Sequence, residues 1–373
     1  MTHPIKCDSL EQIYCGDYLM NLPDIDLLQA LINARGPCGE EEEVRVLCQK
    51  QLEKIVDDVW IDPAGNLIGK ISGSGQASDS IRVMVHMDEI SLIVKRINED
   101  GSLRVNPLGG ILPFSFGQGP VEIMGDKAIF SGILSFGCMH TTKESTNINK
   151  IIPEEHNGQG KTPGWDDVVI TTRKTLAELR EAGVHPGTRV VIAQTRRQLH
   201  LFQDCIAGYF LDNRASIFVA IEAFKQIKIG NKKPKRDIYF VATCTEEVGA
   251  HGASYAARTL PGDITLAIDV GPVAKEYQTI LSADPIIVYQ DAVGLYDKKI
   301  CDRLVILAES LNLKPQCAIF GSYGSDASLA YSRGQSAKAA LICFPVENTH
   351  GYEITHKKSL KQCAALVQAY LLD

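Results

Sequence analysis

The stretch "RDIYFVATCTEEVGAHGA", Arg236 to Ala253, contains the two features that decide how this chain is read. Its first half is a nearly unbroken run of β-formers, too apolar for a strand with one wet face. Strands of that kind are buried on both sides, as in sheets covered by helices. Its second half ends the run on adjacent carboxylates, Glu246 and Glu247, which repel each other unless something positive satisfies them. The same texture recurs in "DITLAIDV", "PIIVYQ" and "KAALICF", each separated from the next by helical patterns. In "DKKICDRLVILAESL", Ile300, Leu304, Leu307 and Leu311 fall on one helix face. Leu360, Ala364, Val367 and Leu371 do so in the last segment. Strands alternating with amphipathic helices predict an α/β fold with a mixed sheet sandwiched by helices.

The N-terminal part fits the same design. "DIDLLQALINARG" and "EEEEVRVLCQKQLEKI" read as helices, followed by strand candidates in "DVWIDPAGNLIGKISG" and "IRVMVHMDE". Between about Ser91 and Gln194 the texture changes. "LIVKRINEDGSLRVNPLGG" places two apolar runs around Asp100-Gly101, and "VEIMGDKAIFSGILSF" repeats the device, both hairpin signals. One helix, "TRKTLAELREAG", interrupts this stretch. The expected organisation is a discontinuous domain, residues 1–90 plus 195–373, carrying an inserted small β-barrel-like domain at 91–194.

Bulk properties narrow the function. The chain has 373 residues, 45% hydrophobic and 22% charged, with a net charge of −7 and no long block of one sign. That argues against nucleic acid or an anionic membrane as partner. No stretch reaches membrane-spanning length, and "MTHPIKCDSLEQIYCGDY" lacks the apolar core of a signal peptide. Eleven scattered cysteines without a C-x-x-C pair read as reduced, mostly buried thiols, so a cytoplasmic location is expected.

Candidate chemistry gathers where the apolar runs end, which is where open α/β sheets place their sites. In "VMVHMDE", His86 and Asp88 are two apart on a strand and face one side. A carboxylate there can accept one imidazole N–H and leave the other nitrogen for a metal. Asp212 in "YFLDNRAS" precedes a helical pattern and would ordinarily be an N-cap. Asp269 in "LAIDVGP" could start a turn or ligate a metal. His350 in "FPVENTHGYE" is a loop histidine. His3, His140, His156, His185, His200, His251 and His356 are read as solvated. Alternation along the strand would point Glu246 and Glu247 in opposite directions. Together the set offers two imidazoles, several carboxylates and no thiolate, the donors of a zinc or cobalt hydrolase centre.

In order and spacing, "HMDEI", "LDNRA", "TEEVGAHGA", "IDVGP", "GSDAS" and "NTHGYE" resemble the motif series of the tetrahedral (TET) aminopeptidases. These are also called glutamyl or deblocking aminopeptidases, a branch of the dinuclear-zinc exopeptidases. The likeness covers nearly the whole chain, with Ser91 and Ser216 standing where the family commonly has glycine. It implies a zinc-exopeptidase-like fold and two divalent metal ions per chain, zinc first, with cobalt or manganese as alternatives. By motif, His86 and Asp269 would hold one ion and Glu247 and His350 the other. Asp212 would bridge the two, Asp88 would orient His86, and Glu246 would be the general base. It also implies short peptide substrates and a homo-oligomer, a tetrahedral dodecamer in which the inserted domain serves dimerisation and substrate access. Because some members of the family carry an endoglucanase name, a glycosidase is one rival reading. A non-catalytic scaffold or binding descendant is another.

Overall fold

The computed structural model describes residues 25–138, 140 and 164–373. Helices α1 (Ile25–Asn33) and α2 (Glu42–Leu52) lead into β1 (Asp58–Ile61), β2 (Leu67–Ile71) and β3 (Ile81–His86). A closed barrel follows, made of β4 (Ser91–Ile97), β5 (Leu103–Leu108), β6 (Gly119–Met124), β7 (Ile129–Ser135), β8 (Val169–Thr171) and β9 (Arg189–Ile192). Two short helices, α3 (Pro113–Phe116) and α4 (Leu176–Glu181), lie between its strands. The chain then runs through β10 (His200–Phe202), β11 (Cys205–Gly208), α5 (Leu211–Ile229), β12 (Ile238–Thr243), α6 (His251–Thr259) and β13 (Ile264–Pro272). It closes with β14 (Ile286–Gln290), α7 (Lys298–Ser310), β15 (Gln316–Ile319), α8 (Asp326–Ser332), β16 (Lys338–Glu347), β17 (Glu353–His356) and α9 (Ser359–Leu372).

The eleven strands outside the barrel form one mixed sheet in the order β1-β2-β12-β3-β13-β16-β17-β11-β10, with β14 and β15 branching from β16. Its centre, β12, β3, β13 and β16, is parallel, and every residue of β3 and β12 is buried. Their side chains divide by alternation. Val83, Val85, Phe240 and Ala242 enter the main core, whereas Met84, Tyr239 and Val241 join a second cluster with Ala250, Ala253, Ala256 and Ala257. The alanines let α6 approach the sheet closely. On the main face α5 is covered so completely that 13 of its 19 residues are buried. The mixed sheet sandwiched by helices is therefore the fold expected from the apolar runs.

Both hairpins form where the turn residues indicate, Ile97 opposite Leu103 and Met124 opposite Ile129. Gly101 has a φ of 78°, and an added Cβ would meet the Lys174 carbonyl, so glycine is required there. Helix α4 starts on a Thr175–Glu178 capping box. In α9 the four expected positions are all buried. In α7 the buried face is Ile300, Cys301, Leu304 and Ala308. Leu307 is only half-buried, and Leu311 lies exposed at the C-cap where the face runs out of partners. The nine described cysteines form no disulfide, and six of them are buried. Among the described residues no helix is long and apolar enough to cross a membrane.

One ion cluster ties the barrel exit to the sheet. Glu89, immediately beyond β3, is fully buried between Arg197, which follows β9, and Arg214 of α5, at 2.7 and 2.6 Å. Arg197 also donates to the carbonyls of Ile192, Ile32 and Ala34, and stacks on Phe210 with its guanidinium 4.7 Å from the ring centre. Arg214 donates to the Met87 carbonyl. Removing one member of a buried ionic set strands the others without solvent or partner. Glu89→Ala is expected to lower stability by about 3–5 kcal/mol, read as a fall in the urea midpoint of the circular-dichroism transition. An unshifted midpoint would contradict the role given to Glu89.

Candidate metal centre

The site opens where two parallel strands part. Strand β13 pairs with β3 from Ile264–Ile81 to Ala267–Met84 and no further. Asp269 lies two residues beyond the last pair, and His86 is the final residue of β3. Both are buried. The Nδ1 of His86 lies 3.1 Å from the backbone carbonyl of Asp88, a contact that places a proton on Nδ1 and leaves Nε2 as the atom a metal could take when the ring is neutral. The Asp88 carboxylate is 3.6 Å from the ring and is engaged elsewhere. It accepts the backbone N–H of Glu246 at 2.9 Å, that of Glu247 at 3.0 Å, and the thiol of Cys38 at 3.3 Å. Asp88 thus touches His86 through its main chain and positions the glutamate pair with its side chain.

That pair is not on a strand. Strand β12 ends at Thr243, Thr245 turns the chain with a φ of 56°, and Glu246 to Gly249 form a turn. The Glu246 carbonyl accepts the N–H groups of Gly249 and Ala250. The expected alternation of the two side chains is therefore replaced by a turn held on Asp88, and both carboxyls line one cleft.

Asp212 is not an N-cap either. Phe210, at a φ of 64°, and a cis Asp212–Asn213 bond bring the chain into α5, and Asp212 itself has ψ 104°, outside the helix. Its N–H donates to Glu353 at 2.9 Å, and the Asn213 amide donates to the Ile268 carbonyl, fastening this corner to β13. The Asp212 carboxylate lies 3.0 Å from His86 Nε2 and 3.7 Å from His350 Nε2. His350, in the turn between β16 and β17, places Nδ1 2.6 Å from the Gly110 carbonyl, on the loop after β5. Its N–H also donates to Glu353.

Two donor groups result. Atoms of His86, Asp212 and Asp269 lie within 4.8 Å of one another, as do atoms of Asp212, Glu247 and His350. Asp212 belongs to both. The donors are imidazole nitrogens and carboxylate oxygens, which suit zinc, cobalt or manganese. Asp212, Glu247, Asp269 and His350 line a cleft of about 790 Å³, and Gly110, Ile111 and Leu112 form part of its wall.

The electrostatics also fit cations. Burial first, and then neighbouring carboxylates, push Glu247, Asp269 and Glu353 well above the usual carboxyl range. Glu246 is raised by burial and by Asp326, Glu247 and Asp269, which outweigh His86. Asp326 is raised to about 6, chiefly by burial. Burial opposes charge on His86, but Asp212, Glu246 and Asp88 hold it protonated well above its ordinary value. Burial would raise Asp212 too, yet His86 pulls it down. Positive charge is what this cluster lacks.

Three further acids take part that the sequence pattern does not single out. Glu353 spans Asp212 and His350, Asp326 accepts from Thr243 at 2.5 Å, and Glu89 anchors the strand exit. Glu353 lies in "NTHGYE", Asp326 in "GSDAS" and Glu89 in "HMDEI", and only their burial sets them apart from solvated acids.

Each raised carboxyl holds protons in the folded chain that the unfolded chain releases. Its contribution is complete below the unfolded range, near about pH 4, and is lost as pH rises through the folded value. His86, also raised, follows the same direction. Asp212, depressed, loses its contribution only as pH falls through its folded value. Chelator-treated protein is therefore expected to melt at steadily lower temperature from about pH 5 to about pH 8, with Asp326 titrating inside that window. A melting temperature that climbs across it in scanning calorimetry would contradict these directions.

Known proteins share this arrangement of elements. The description "M42 glutamyl aminopeptidase" matches residues 65–366. The lysyl aminopeptidase of Pyrococcus furiosus is 30% identical over 251 residues, 66% of either chain. An aminopeptidase from the archaeon Desulfurococcus kamchatkensis superposes with a TM-score of 0.80 at 27% identity, covering 93% of this chain and 94% of that one. A TET aminopeptidase from a marine sediment archaeon of the Thaumarchaeota does so at 0.83 and 23%, covering 93% and 95%. With its fold, its ordered motifs and a family match over most of its length in agreement, this chain belongs to the M42 glutamyl aminopeptidase family.

Proposed function

We propose that the protein is a dinuclear-metal aminopeptidase that removes N-terminal residues from short peptides, with Glu246 as general base. The observation that carries this reading is the single carboxylate of Asp212, set between two imidazoles and common to two donor groups. His86 and Asp269 would hold one divalent ion, Glu247 and His350 the other, and Asp212 both. Zinc suits the donors, with cobalt or manganese as alternatives. Bound there, the ions would supply Lewis acidity, polarising a carbonyl and lowering the pKa of water from 15.7 toward about 7.

The chain's own groups perform the rest. Glu246 lines the cleft but belongs to neither donor group, and its backbone is fixed on Asp88. Burial and the surrounding acids raise its proton affinity, which suits a carboxylate that takes a proton from water and returns it to the leaving amine. The Asp88 carboxylate keeps Glu246 and Glu247 in register, and the Asp88 carbonyl keeps the His86 Nε2 lone pair available. Acids around the cleft offer the free α-ammonium of a substrate a counter-charge, which favours an exopeptidase.

A glycosidase needs one acid, one carboxylate and, usually, aromatic platforms for sugar. Trp165 is packed edge-on to Phe116 and donates to the Ile111 carbonyl, while Trp60 packs on Tyr239, and neither lines the cleft. A non-catalytic scaffold has no need of a base poised beside a complete donor set. Likeness to TET aminopeptidases supports a homo-oligomer, for which we propose the tetrahedral dodecamer. The inserted domain, residues 91–194, would provide dimer contacts and substrate access, and it carries exposed Leu112, Phe114, Ile129 and Ile133. Six buried thiols among the described cysteines fit a cytoplasmic location.

Glu246→Gln is expected to keep its metal while losing about 10²- to 10⁴-fold in turnover of aminoacyl anilides. Undiminished turnover would remove Glu246 from the mechanism. Glu247→Gln should instead lower the metal content per chain by elemental analysis, and a full complement would show that Glu247 is not a ligand.

A further inference from the structure

The wall of the cleft beyond Asp269 carries a charge that neither the donor groups nor the base accounts for. After β13 the chain forms a short 3-10 turn, Lys275–Tyr277, and Glu276 of this turn lines the same cleft as Asp212, Glu246, Glu247, Asp269 and His350. Glu276 is exposed and forms no ion pair among the described residues, while Lys275, its neighbour in sequence, is not part of the lining. No lysine or arginine lines the cleft among the described residues.

The turn is held firmly. Thr279 Oγ1 donates to the Pro272 carbonyl at 2.7 Å and accepts the Ala274 N–H at 3.0 Å. Tyr277 packs on Phe320, Phe320 on Tyr323, and the Tyr323 hydroxyl donates to the Val270 carbonyl, next to Asp269. A carboxylate on a braced wall, open to the cleft and unpaired, is placed to read the charge of a substrate side chain.

Resting on the aminopeptidase reading, we infer that Glu276 selects cationic N-terminal side chains, so that peptides beginning with lysine or arginine are preferred over those beginning with glutamate or aspartate. A lysyl ammonium or arginyl guanidinium entering the cleft finds a carboxylate partner. An acidic side chain finds no lysine or arginine among the described residues that line the cleft. It meets Glu276 as a like charge, which raises the cost further.

The test uses isosteric pairs of anilides with metal-loaded enzyme, lysyl against norleucyl and glutamyl against glutaminyl, so that each ratio of kcat/KM reports charge. The wild type is expected to favour lysyl over norleucyl and to disfavour glutamyl against glutaminyl by about tenfold. Glu276→Gln should reduce the lysyl/norleucyl ratio by about fivefold, the size of a partly exposed ion pair. Glu276→Lys should raise the glutamyl/glutaminyl ratio, a gain that loss of structure would not produce. Preference for glutamyl over glutaminyl substrates, or ratios unmoved by both substitutions, overturns the inference while leaving the aminopeptidase reading intact. Failure to cleave any of the four anilides overturns that reading, and the preference with it.

Discussion

The structure depends on a crowding of negative charge that proteins ordinarily avoid. Asp88, Asp212, Glu246, Glu247, Asp269, Asp326 and Glu353 converge at the carboxyl end of β3, β12 and β13, with His86 buried among them and His350 at the rim. Asp88, Asp269, Asp326 and Glu353 are buried, with Glu246 and Glu247 half-buried beside them. Crowding of this kind is costly without cations, since burying an unpaired charge costs several kcal/mol or more. Divalent ions would answer that constraint, and most of the surrounding architecture serves to keep the acids together.

Main-chain hydrogen bonds supply much of this restraint. Asp88 accepts two consecutive amides of the glutamate turn, and Glu353 accepts amides from Asp212 and from His350. Each carboxylate thereby joins elements distant in sequence. The Glu89 cluster works one layer further out, fixing the chain as it leaves β3 for the barrel. Because the barrel begins at Ser91 and its Gly110 carbonyl meets His350, the barrel contributes to the wall of the site and to the orientation of a donor. A rigid outer layer is what an arrangement of donor atoms needs, given how steeply binding and proton transfer depend on position.

The sequence revealed the sheet because β3, β12, β13 and β16 are buried on both faces and read as continuous apolar runs. Both hairpins announced themselves through Asp-Gly and Gly-Asp. The seven site residues stood out as polar residues at the ends of such runs, and the structure brings all of them to one cleft or into direct contact with its lining. What could not be read was local backbone. Glu246 and Glu247 sit on a turn started by Thr245 in the left-handed region, and Asp212 lies on a non-helical corner. Periodicity carries no signal for either. Nor does it distinguish a buried acid such as Glu353 or Asp326 from a solvated one, because burial of single polar residues depends on contacts far apart in the chain. The amphipathic face of α7 drifted for a related reason. Burial there follows what packs on the helix, and among the described residues Leu311 stays exposed.

The central claim is that two ions share the Asp212 carboxylate. Anomalous scattering from crystals of the zinc-loaded protein, recorded on either side of the zinc absorption edge, tests it directly. The account predicts two peaks in each chain, one among His86, Asp212 and Asp269 and the other among Asp212, Glu247 and His350. A single peak at full occupancy, or two peaks without Asp212 between them, would contradict it.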